Sequence, residues 1–169
     1  MNLEYKHLLP DHFSDDSRVW IYQSSRCFTL NEALEIEESL GAFSNQWSSH
    51  GAEVTAYINL FFGQFLIFMS DEKKVTVSGC STDTSVRFVK SLGEEFQVDF
   101  FNRTNLAFFI NDKIQLLPVS QLQYAFENGV INGDTLYFNN LVLTKKELEE
   151  LWIVSIKNSW LSKKLQLTL

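Results

Sequence analysis

Apolar and polar residues recur along this chain with two different periods, which predict strands and helices in turn. Residues 18–23 (Arg-Val-Trp-Ile-Tyr-Gln) combine β-branched and aromatic side chains and indicate the first strand. The segment that follows has apolar residues at helical spacing. Thr29 and Glu32 form a capping box at the start of this segment, so the first helix is predicted to begin there.

The middle of the chain repeats this alternation. Runs 53–62 and 64–70 predict paired strands that are joined tightly at Gly63. A second helix is predicted over residues 83–96, with Thr82 or Asp83 as its N-cap. Further strands are expected at residues 98–101, 106–110 and 113–117, the last two joined at Asn111-Asp112.

Capping and turn residues divide the remainder of the chain. Ser120 with Gln123, and Thr144 with Glu147, form two further capping boxes. The first of these helices is expected to stop at Asn128-Gly129, because a glycine past the last turn adopts the left-handed conformation easily. The remaining expectations are a hairpin across Asn139-Asn140, formed by residues 135–138 and 141–143, and a break in the last helix at residues 153–155.

From residue 18 to 110 the predicted order is β-α-β-β-α-β, the order of a ferredoxin-like α+β sandwich. In that fold the first and third strands are parallel neighbours, so the loops that follow them share one edge of the sheet. We therefore expect an irregular leader over residues 1–17 and a ferredoxin-like domain over 18–117. A smaller C-terminal α/β extension over 118–169 packs on it, and in the alternative interpretation all three parts form one domain.

Composition limits the class of protein. Of the 169 residues 45% are hydrophobic, which is enough for a core and too apolar for a disordered chain. The net charge of −7 argues against electrostatic binding to nucleic acid or to an anionic membrane. Two cysteines, Cys27 and Cys80, do not make a disulfide framework, and the sequence has neither a signal peptide nor an apolar run of transmembrane length. These features predict a cytoplasmic protein.

Two polar loops would become neighbours in the predicted fold. The loops consist of Ser24, Ser25 and Arg26 and of Cys80, Ser81, Thr82 and Asp83. Helix N-termini present unpaired N–H groups and the positive end of a dipole, so these residues predict a binding pocket for a small anion. The same setting favours a thiolate, and the alternative is a thiol-dependent enzyme with Cys80 as nucleophile. A third interpretation is purely structural: these residues cap a helix, and the negative charge of Asp83 favours it.

Motifs for a metal or a nucleotide are missing from the sequence. His7, His12 and His50 have no carboxylate or thiol at the spacing of a zinc site. No glycine precedes a lysine, so the phosphate-binding loop of a Walker A ATPase is absent. We therefore expect no metal and no cofactor.

Aromatic residues are more numerous than one small core easily encloses, with fifteen Phe, five Tyr and four Trp. This excess favours either a Phe-rich core with other rings at its rim or an exposed interaction surface, which a homodimer would also bury. The residues that carry this prediction are Trp20, Tyr22, Trp47, Phe100, Phe101, Tyr137, Phe138, Trp152 and Trp160.

Four segments resemble a family of bacterial proteins of unknown function from Bacteroidetes. The segments are residues 18–23, Trp47 with His50-Gly51, Ser78-Gly79-Cys80-Ser81-Thr82-Asp83 and Val98-Asp99-Phe100-Phe101. Some members carry the label "ABC transporter ATPase", but the missing Gly-Lys loop argues against that activity here. The resemblance assigns no fold, activity or catalytic residue.

A second resemblance covers only the last part of the chain and is to bacterial GYF-like modules. It rests on Pro118-Val119-Ser120, Leu122, Gly129-Val130-Ile131 and Asp134-Thr135-Leu136. GYF domains bind proline-rich peptides on aromatic residues, so the resemblance implies an adaptor role for Tyr137, Phe138 and Trp152. Taken together, the sequence predicts a non-catalytic binding or protein-interaction protein, with a small anion or a protein as its partner.

Overall fold

The computed structural model describes residues 1–49, 52–73 and 77–166, and within them the chain forms nine strands and five α-helices. The strands are β1 (Arg18–Gln23), β2 (Ser48–Ser49), β3 (Ala52–Glu53), β4 (Ala56–Phe61), β5 (Phe65–Ser70), β6 (Asn105–Ile110), β7 (Lys113–Pro118), β8 (Leu136–Phe138) and β9 (Ile153–Ser155). The α-helices are α1 (Leu30–Gln46), α2 (Gly79–Glu95), α3 (Leu122–Glu127), α4 (Lys145–Leu151) and α5 (Leu161–Lys164). The predicted α+β class is confirmed.

Two antiparallel sheets form the centre of the molecule. The first has the strand order β1-β5-β4 and the second the order β7-β6-β8-β9, while β2 and β3 form a separate two-stranded sheet. β5 is buried along its whole length. Leu66 and Phe68 belong to the core shared with α1 and α2, whereas Phe65, Ile67 and Met69 belong to the core between the sheets. A continuous apolar run is what a strand covered on both faces requires.

The second sheet is also covered on both faces. Ala107 of β6 faces the first sheet, whereas Phe108 and Tyr137 pack with α3 and α5. The layers therefore follow the order α1/α2, first sheet, second sheet, α3/α5. Strands on both sides of residue 118 contribute to this second sheet. Near the N-terminus, Tyr5 and Phe13 are buried in the core between the sheets.

The predicted parallel pairing of the first and third strands was wrong. β1 and β5 are neighbours, but they are antiparallel, with Arg18 opposite Ser70 and Gln23 opposite Phe65. β4 is also antiparallel to β5, so β1 and β4 are parallel to each other on either side of it. The crossover through α1 places β4 one strand position away from β1. The tight turn after β4 then lets β5 pair with both strands in the position between them. β6 lies in the second sheet, and the ferredoxin-like arrangement is not confirmed.

Turns and the first helix cap follow the prediction. The Glu32 N–H donates to Thr29 Oγ1 at 3.4 Å, and the Thr29 N–H donates to the Glu32 carboxylate at 2.7 Å. Asn111 (φ 51°) and Asp112 (φ 58°) adopt the left-handed conformation of a two-residue hairpin turn, and Gly63 (φ 62°) is left-handed in the three-residue connection between β4 and β5. The capping box and both hairpin turns are therefore confirmed.

Helix α2 begins at Gly79, earlier than predicted. Its N-cap is Ser78, whose hydroxyl accepts a hydrogen bond from the Ser81 N–H at 3.3 Å. The Thr82 N–H already donates to the Ser78 carbonyl at 3.0 Å, which is a bond of the first helical turn. Neither Thr82 nor Asp83 is the N-cap, so that prediction was wrong.

Two expected strands are absent from the described residues. Residues 98–101 form no strand, because Val98 and Phe100 pack into the core of the helical layer and the Val98 N–H donates to the Gly93 carbonyl at 2.9 Å. Residues 141–143 do not pair with β8 either. Instead the Val19 N–H of β1 donates to the Leu143 carbonyl at 2.8 Å. Both predictions were wrong for a related reason: Val98 and Phe100 in one segment, and Val142 in the other, are buried without forming a ladder with a neighbour in sequence.

The C-terminal helices follow the prediction in part. Ser120 lies in a 3-10 turn, Val119–Gln121, and α3 has no side-chain cap, so this capping box was wrong. The stop at Gly129 (φ 69°) is confirmed. Thr144 caps α4 as predicted, but the Glu147 carboxylate accepts from the Leu143 N–H rather than from that of Thr144. The break at residues 153–155 is confirmed, and these residues form β9.

None of the helices in the described part of the chain is long and apolar enough to cross a membrane. His50 and Gly51 lie outside the described residues.

Candidate functional site

Cys80 lies in the first turn of α2 with an exposed side chain. Ser81, Thr82 and Asp83 follow it in the same helix. Two of the N–H groups at this helix start, those of Ser81 and Thr82, already donate to the hydroxyl and carbonyl of Ser78. The side-chain cap therefore satisfies the Ser81 N–H, and the Thr82 N–H makes the first bond within the helix.

Arg26 joins the start of α1 to the end of α2. Its guanidinium donates to both carboxylate oxygens of Glu32, at 2.9 and 2.7 Å, and to the Phe96 carbonyl at 2.9 Å. The hydrogen bonds from Arg26, together with that from the Thr29 backbone, lower the pKa of Glu32 to about 2. Arg26 thus has a carboxylate partner within the fold, and Ser24 beside it is fully buried.

The two polar loops do not share a site. Arg26 contacts the C-terminal end of α2, whereas Cys80 is at its N-terminal end, and residues 80 to 96 span about 24 Å of helix axis. The prediction that these loops are neighbours was wrong, because it depended on parallel β1 and β5. Because β1 and β5 are antiparallel, the C-terminal end of β1 and the C-terminal end of β5 lie at opposite ends of the strand pair. The loops that follow the two strands are therefore far apart.

The predicted interaction residues are internal. Tyr137, Phe138 and Trp152 are 2%, 1% and 0% exposed. Trp152 packs edge-on against Tyr5, with ring centroids 4.8 Å apart, in the core between the sheets. Tyr137 and Phe138, however, contribute to the wall of a cleft, and this cleft is the candidate site.

A cleft of about 370 Å³ opens along the free edge of β1, where the first sheet meets the end of the second. We call it the edge cleft. Its lining residues are Val19, Trp20, Ile21, Tyr22, Gln23, Phe100, Phe101, Asn102, Arg103, Asn105, Leu106, Val119, Tyr137, Phe138, Asn140, Leu141, Val142, Leu143 and Trp160. Ligand pockets in proteins commonly have volumes of about 300–1,000 Å³, so the size is appropriate for a ligand.

The main chain of β1 forms one side of the edge cleft. β5 covers one edge of β1, and on the other edge the Val19 N–H donates to Leu143 at 2.8 Å. N–H and C=O groups of alternate residues point to the same side of a strand, so those of Ile21 also point to this second edge. Within the described residues, no strand or bridge pairs with Ile21 there. The N–H and C=O of Ile21 therefore face the cleft.

Side-chain amides connect the two sheets at the base of the cleft. Trp152 Nε1 donates to Asn140 Oδ1 at 3.0 Å, and Asn140 Nδ2 donates to Gln23 Oε1 at 2.9 Å. Gln23 Nε2 in turn donates to the Asn105 carbonyl at 3.1 Å. Gln23 is only 9% exposed, so this series of hydrogen bonds is largely shielded from water. It holds the C-terminal end of β1 against the second sheet.

Aromatic rings form the walls. Tyr22 and Phe101 pack edge to face with centroids 5.7 Å apart, and Trp160 Nε1 donates to Tyr137 Oη at 3.3 Å. Burial raises the pKa of Tyr22 and of Tyr137, so both remain neutral phenols at physiological pH. Arg103 is exposed, and in the part of the chain that the structure describes no other residue with a formal charge lines the cleft.

The rim of the edge cleft is unusually apolar for a protein surface. Phe101 and Trp160 are 38% and 42% exposed, and Leu141 and Leu143 are each 66% exposed. All four line the same opening. Exposed large apolar side chains that cluster, rather than scatter, indicate an interaction site.

One signal for this site is visible in the sequence, namely the excess of aromatic residues. Seven of the nine aromatic residues singled out line the edge cleft, and the two exceptions are Trp47 and Trp152. Sequence reasoning missed Ile21 and Gln23, because only the strand order places them at a free edge, and it missed Arg103, because Arg103 lies in a loop that only the tertiary structure brings to the cleft. In the described residues, His, Cys, Asp and Glu form no group of three or more that could hold a metal ion.

None of the family models, curated proteins or solved structures compared with the chain matches it. The geometry of the edge cleft is therefore the basis for the function proposed below.

Proposed function

We propose that this protein is a non-catalytic binding protein, which takes an extended segment of a partner polypeptide into the edge cleft. The observation that carries the proposal is the free main-chain edge of β1 at Ile21, which faces an aromatic cleft. An extended peptide that adds to such an edge gains main-chain hydrogen bonds, and pockets beside the edge accept its alternate side chains.

The composition of the cleft favours a peptide ligand. Main-chain N–H and C=O groups at a sheet edge are a ready template for another strand. The aromatic side chains of Trp20, Phe101 and Trp160 offer large, stiff apolar surfaces, which are enriched at protein interfaces. A peptide satisfies both features at once, whereas an apolar small molecule would leave the Ile21 groups without partners.

The same lining favours binding over catalysis. The described residues that line the edge cleft include no Ser, Thr, Cys, His, Asp, Glu or Lys. Both cysteines are free thiols outside it. Free thiols also support the predicted cytosolic location, because thiols stay reduced there.

Hydrogen exchange at single amides tests the proposal. The probe is a library of synthetic hexapeptides with apolar residues at alternate positions, each made with free and with blocked ends. We expect bound peptides to slow exchange of the Ile21 amide, while the amides of Trp20 and Tyr22, which face β5, stay protected throughout. Absence of binding across the library, or binding that leaves the Ile21 amide unchanged, would refute strand addition.

Rim variants locate the binding site. Leu141→Asp places a charge on the apolar rim and is expected to abolish peptide binding at an unchanged melting temperature. Leu34→Asp is the matched control, because Leu34 is similarly exposed (58%) but lies on α1 outside the cleft. If Leu141→Asp instead converts a dimer into a monomer in light scattering, a second copy of the chain covers the cleft and the proposal is wrong.

A further inference from the structure

The free edge of β1 is closed at both ends. At one end the Val19 N–H already donates a hydrogen bond to the Leu143 carbonyl at 2.8 Å. At the other end the Gln23 side chain bonds to the Asn105 carbonyl and to Asn140. The distance from Val19 to Gln23 is about 13 Å along a strand, which admits roughly three residues of an added chain.

An open edge this short, closed at both ends, should bind a terminal segment of a polypeptide more easily than an internal segment. A continuous segment would have to enter and leave through the same opening, and so would bend away from the edge on both sides. A chain terminus needs to enter only once. The short edge therefore favours a terminal segment as the occupant.

Charge distinguishes the two termini. Among the described residues that line the edge cleft, Arg103 alone carries a formal charge. No carboxylate of the described residues lies within salt-bridge distance of it; the four ion pairs there involve Arg18, Arg26, Lys145 and Lys157. In a protein of net charge −7, a cleft whose formal charge is positive is suited to a carboxylate and not to an ammonium group.

The chemistry of arginine strengthens this preference. A hydrogen bond from a guanidinium to a carboxylate is charge-assisted, and it is therefore stronger than a hydrogen bond between neutral groups. Arginine also presents several N–H groups in a planar fork, which matches the two oxygens of a carboxylate.

We infer that the edge cleft binds the C-terminal end of a partner polypeptide, with an apolar last side chain among the aromatic walls and the terminal carboxylate on Arg103. This inference rests on the proposed function. It adds which part of the partner is bound and which group of this chain recognises it.

Paired peptides test the inference separately from the proposed function. The probes are N-acetylated tetrapeptides that end in Leu, Val or Phe, each prepared as the free acid and as the C-terminal amide. We expect the acids to bind about ten- to a hundredfold more tightly than the amides, as measured by the fluorescence of the cleft tryptophans. Raising the salt concentration should weaken the acids alone.

Arg103→Gln should remove the difference between acid and amide, and Arg103→Lys should retain part of it. Arg87→Gln is the control, because Arg87 on α2 lies outside the cleft, and this variant should leave the ratio of acid to amide affinity unchanged.

Equal binding of acids and amides, with the Ile21 amide still protected, would overturn the inference and leave the proposed function standing. Binding of phenylacetate or hexanoate as tight as that of the peptides would overturn it too, since a small apolar carboxylate would then be the ligand. If no peptide protects Ile21, both fail.

Discussion

The Val19 N–H donates to the Leu143 carbonyl at 2.8 Å, and beyond this bond β1 and the segment before α4 are no longer paired. The Lys145 N–H continues the contact by donating to the Ser17 carbonyl at 2.8 Å. In the other direction the ladder ends, because the Leu143 N–H donates to the Glu147 carboxylate in the cap of α4. The edge of β1 beyond Val19 is thus left open by a helix cap, and the edge cleft is the result.

Asn140 is expected to contribute to the stability of the join between the sheets. Asn140→Ala removes the acceptor of Trp152 Nε1 and the donor to Gln23. Because the Trp152 side chain is fully buried, its N–H would have no replacement partner, and we expect a loss of about 1–3 kcal/mol in the free energy of unfolding. Urea unfolding measures this. Asn45→Ala, an exposed site on α1, should change the free energy by less than about 0.5 kcal/mol, and equal losses would contradict the role of Asn140.

Two helical glycines should respond to alanine in opposite directions. A Cβ at Gly41 meets nothing within 4 Å, so Gly41→Ala should stabilise the protein by about 0.5–1 kcal/mol. A Cβ at Gly93 would lie 2.9 Å from the Val98 carbonyl oxygen, where α2 ends and the backbone turns back. Gly93→Ala should therefore destabilise by about 1–3 kcal/mol. Denaturant unfolding of both variants measures the two changes in the free energy of unfolding. If Gly93→Ala were to stabilise the protein, the turn after α2 would have to be able to move.

The start of α2 can be located by mutation. Ser78→Ala removes the hydroxyl that accepts from the Ser81 N–H and should cost about 1 kcal/mol. Asp83 is exposed and is not the cap, so Asp83→Asn should stay within about 0.5 kcal/mol of the wild type. Thermal melts compare the two variants. A larger effect at Asp83 than at Ser78 would place the helix start where the sequence predicted it.

The ion pair of Arg26 and Glu32 should produce an acid-dependent stability. The pKa of Glu32 is lowered from 4.5 to about 2 in the folded protein, mainly by Arg26. The unfolded chain therefore binds more protons in this range, and the contribution of Glu32 is present above pH 4.5 and lost as pH falls toward about 2. The melting temperature of Glu32→Gln should lie below that of the wild type at neutral pH and converge with it in this window. Glu38→Gln, an exposed change on the same helix, should show no such convergence.

Sequence signals were sufficient where the interacting groups lie within a few residues of each other. The Thr29 capping box, the Asn111-Asp112 turn and the stop at Gly129 each involve groups about three or four positions apart, and all three are confirmed. Residues 98–101 show where such reasoning fails. Their apolar pattern resembles a strand, but Val98 and Phe100 bury the same surface against the helices without pairing.

The candidate site was only partly accessible from the sequence. The aromatic excess was visible, and most of those rings line the edge cleft. Ile21 and Arg103 could not be identified, since an isoleucine in a strand and an exposed arginine in a loop are ordinary residues. Their position depends on which edge of β1 stays free, and that depends on partners far away in the chain.

The sequence by itself determined the α+β class, the first helix cap, the turns at Gly63 and at Asn111-Asp112, and the need to cover both faces of β5. These follow from local hydrogen bonding and from the apolar pattern. Only the tertiary structure decided that β1 and β5 are antiparallel, that β6 joins a second sheet and that the two polar loops lie at opposite ends of α2. Strand direction is chosen by burial between distant segments. The entropy of closing a loop changes only slowly with its length, so segments far apart in the sequence can compete with near ones as partners.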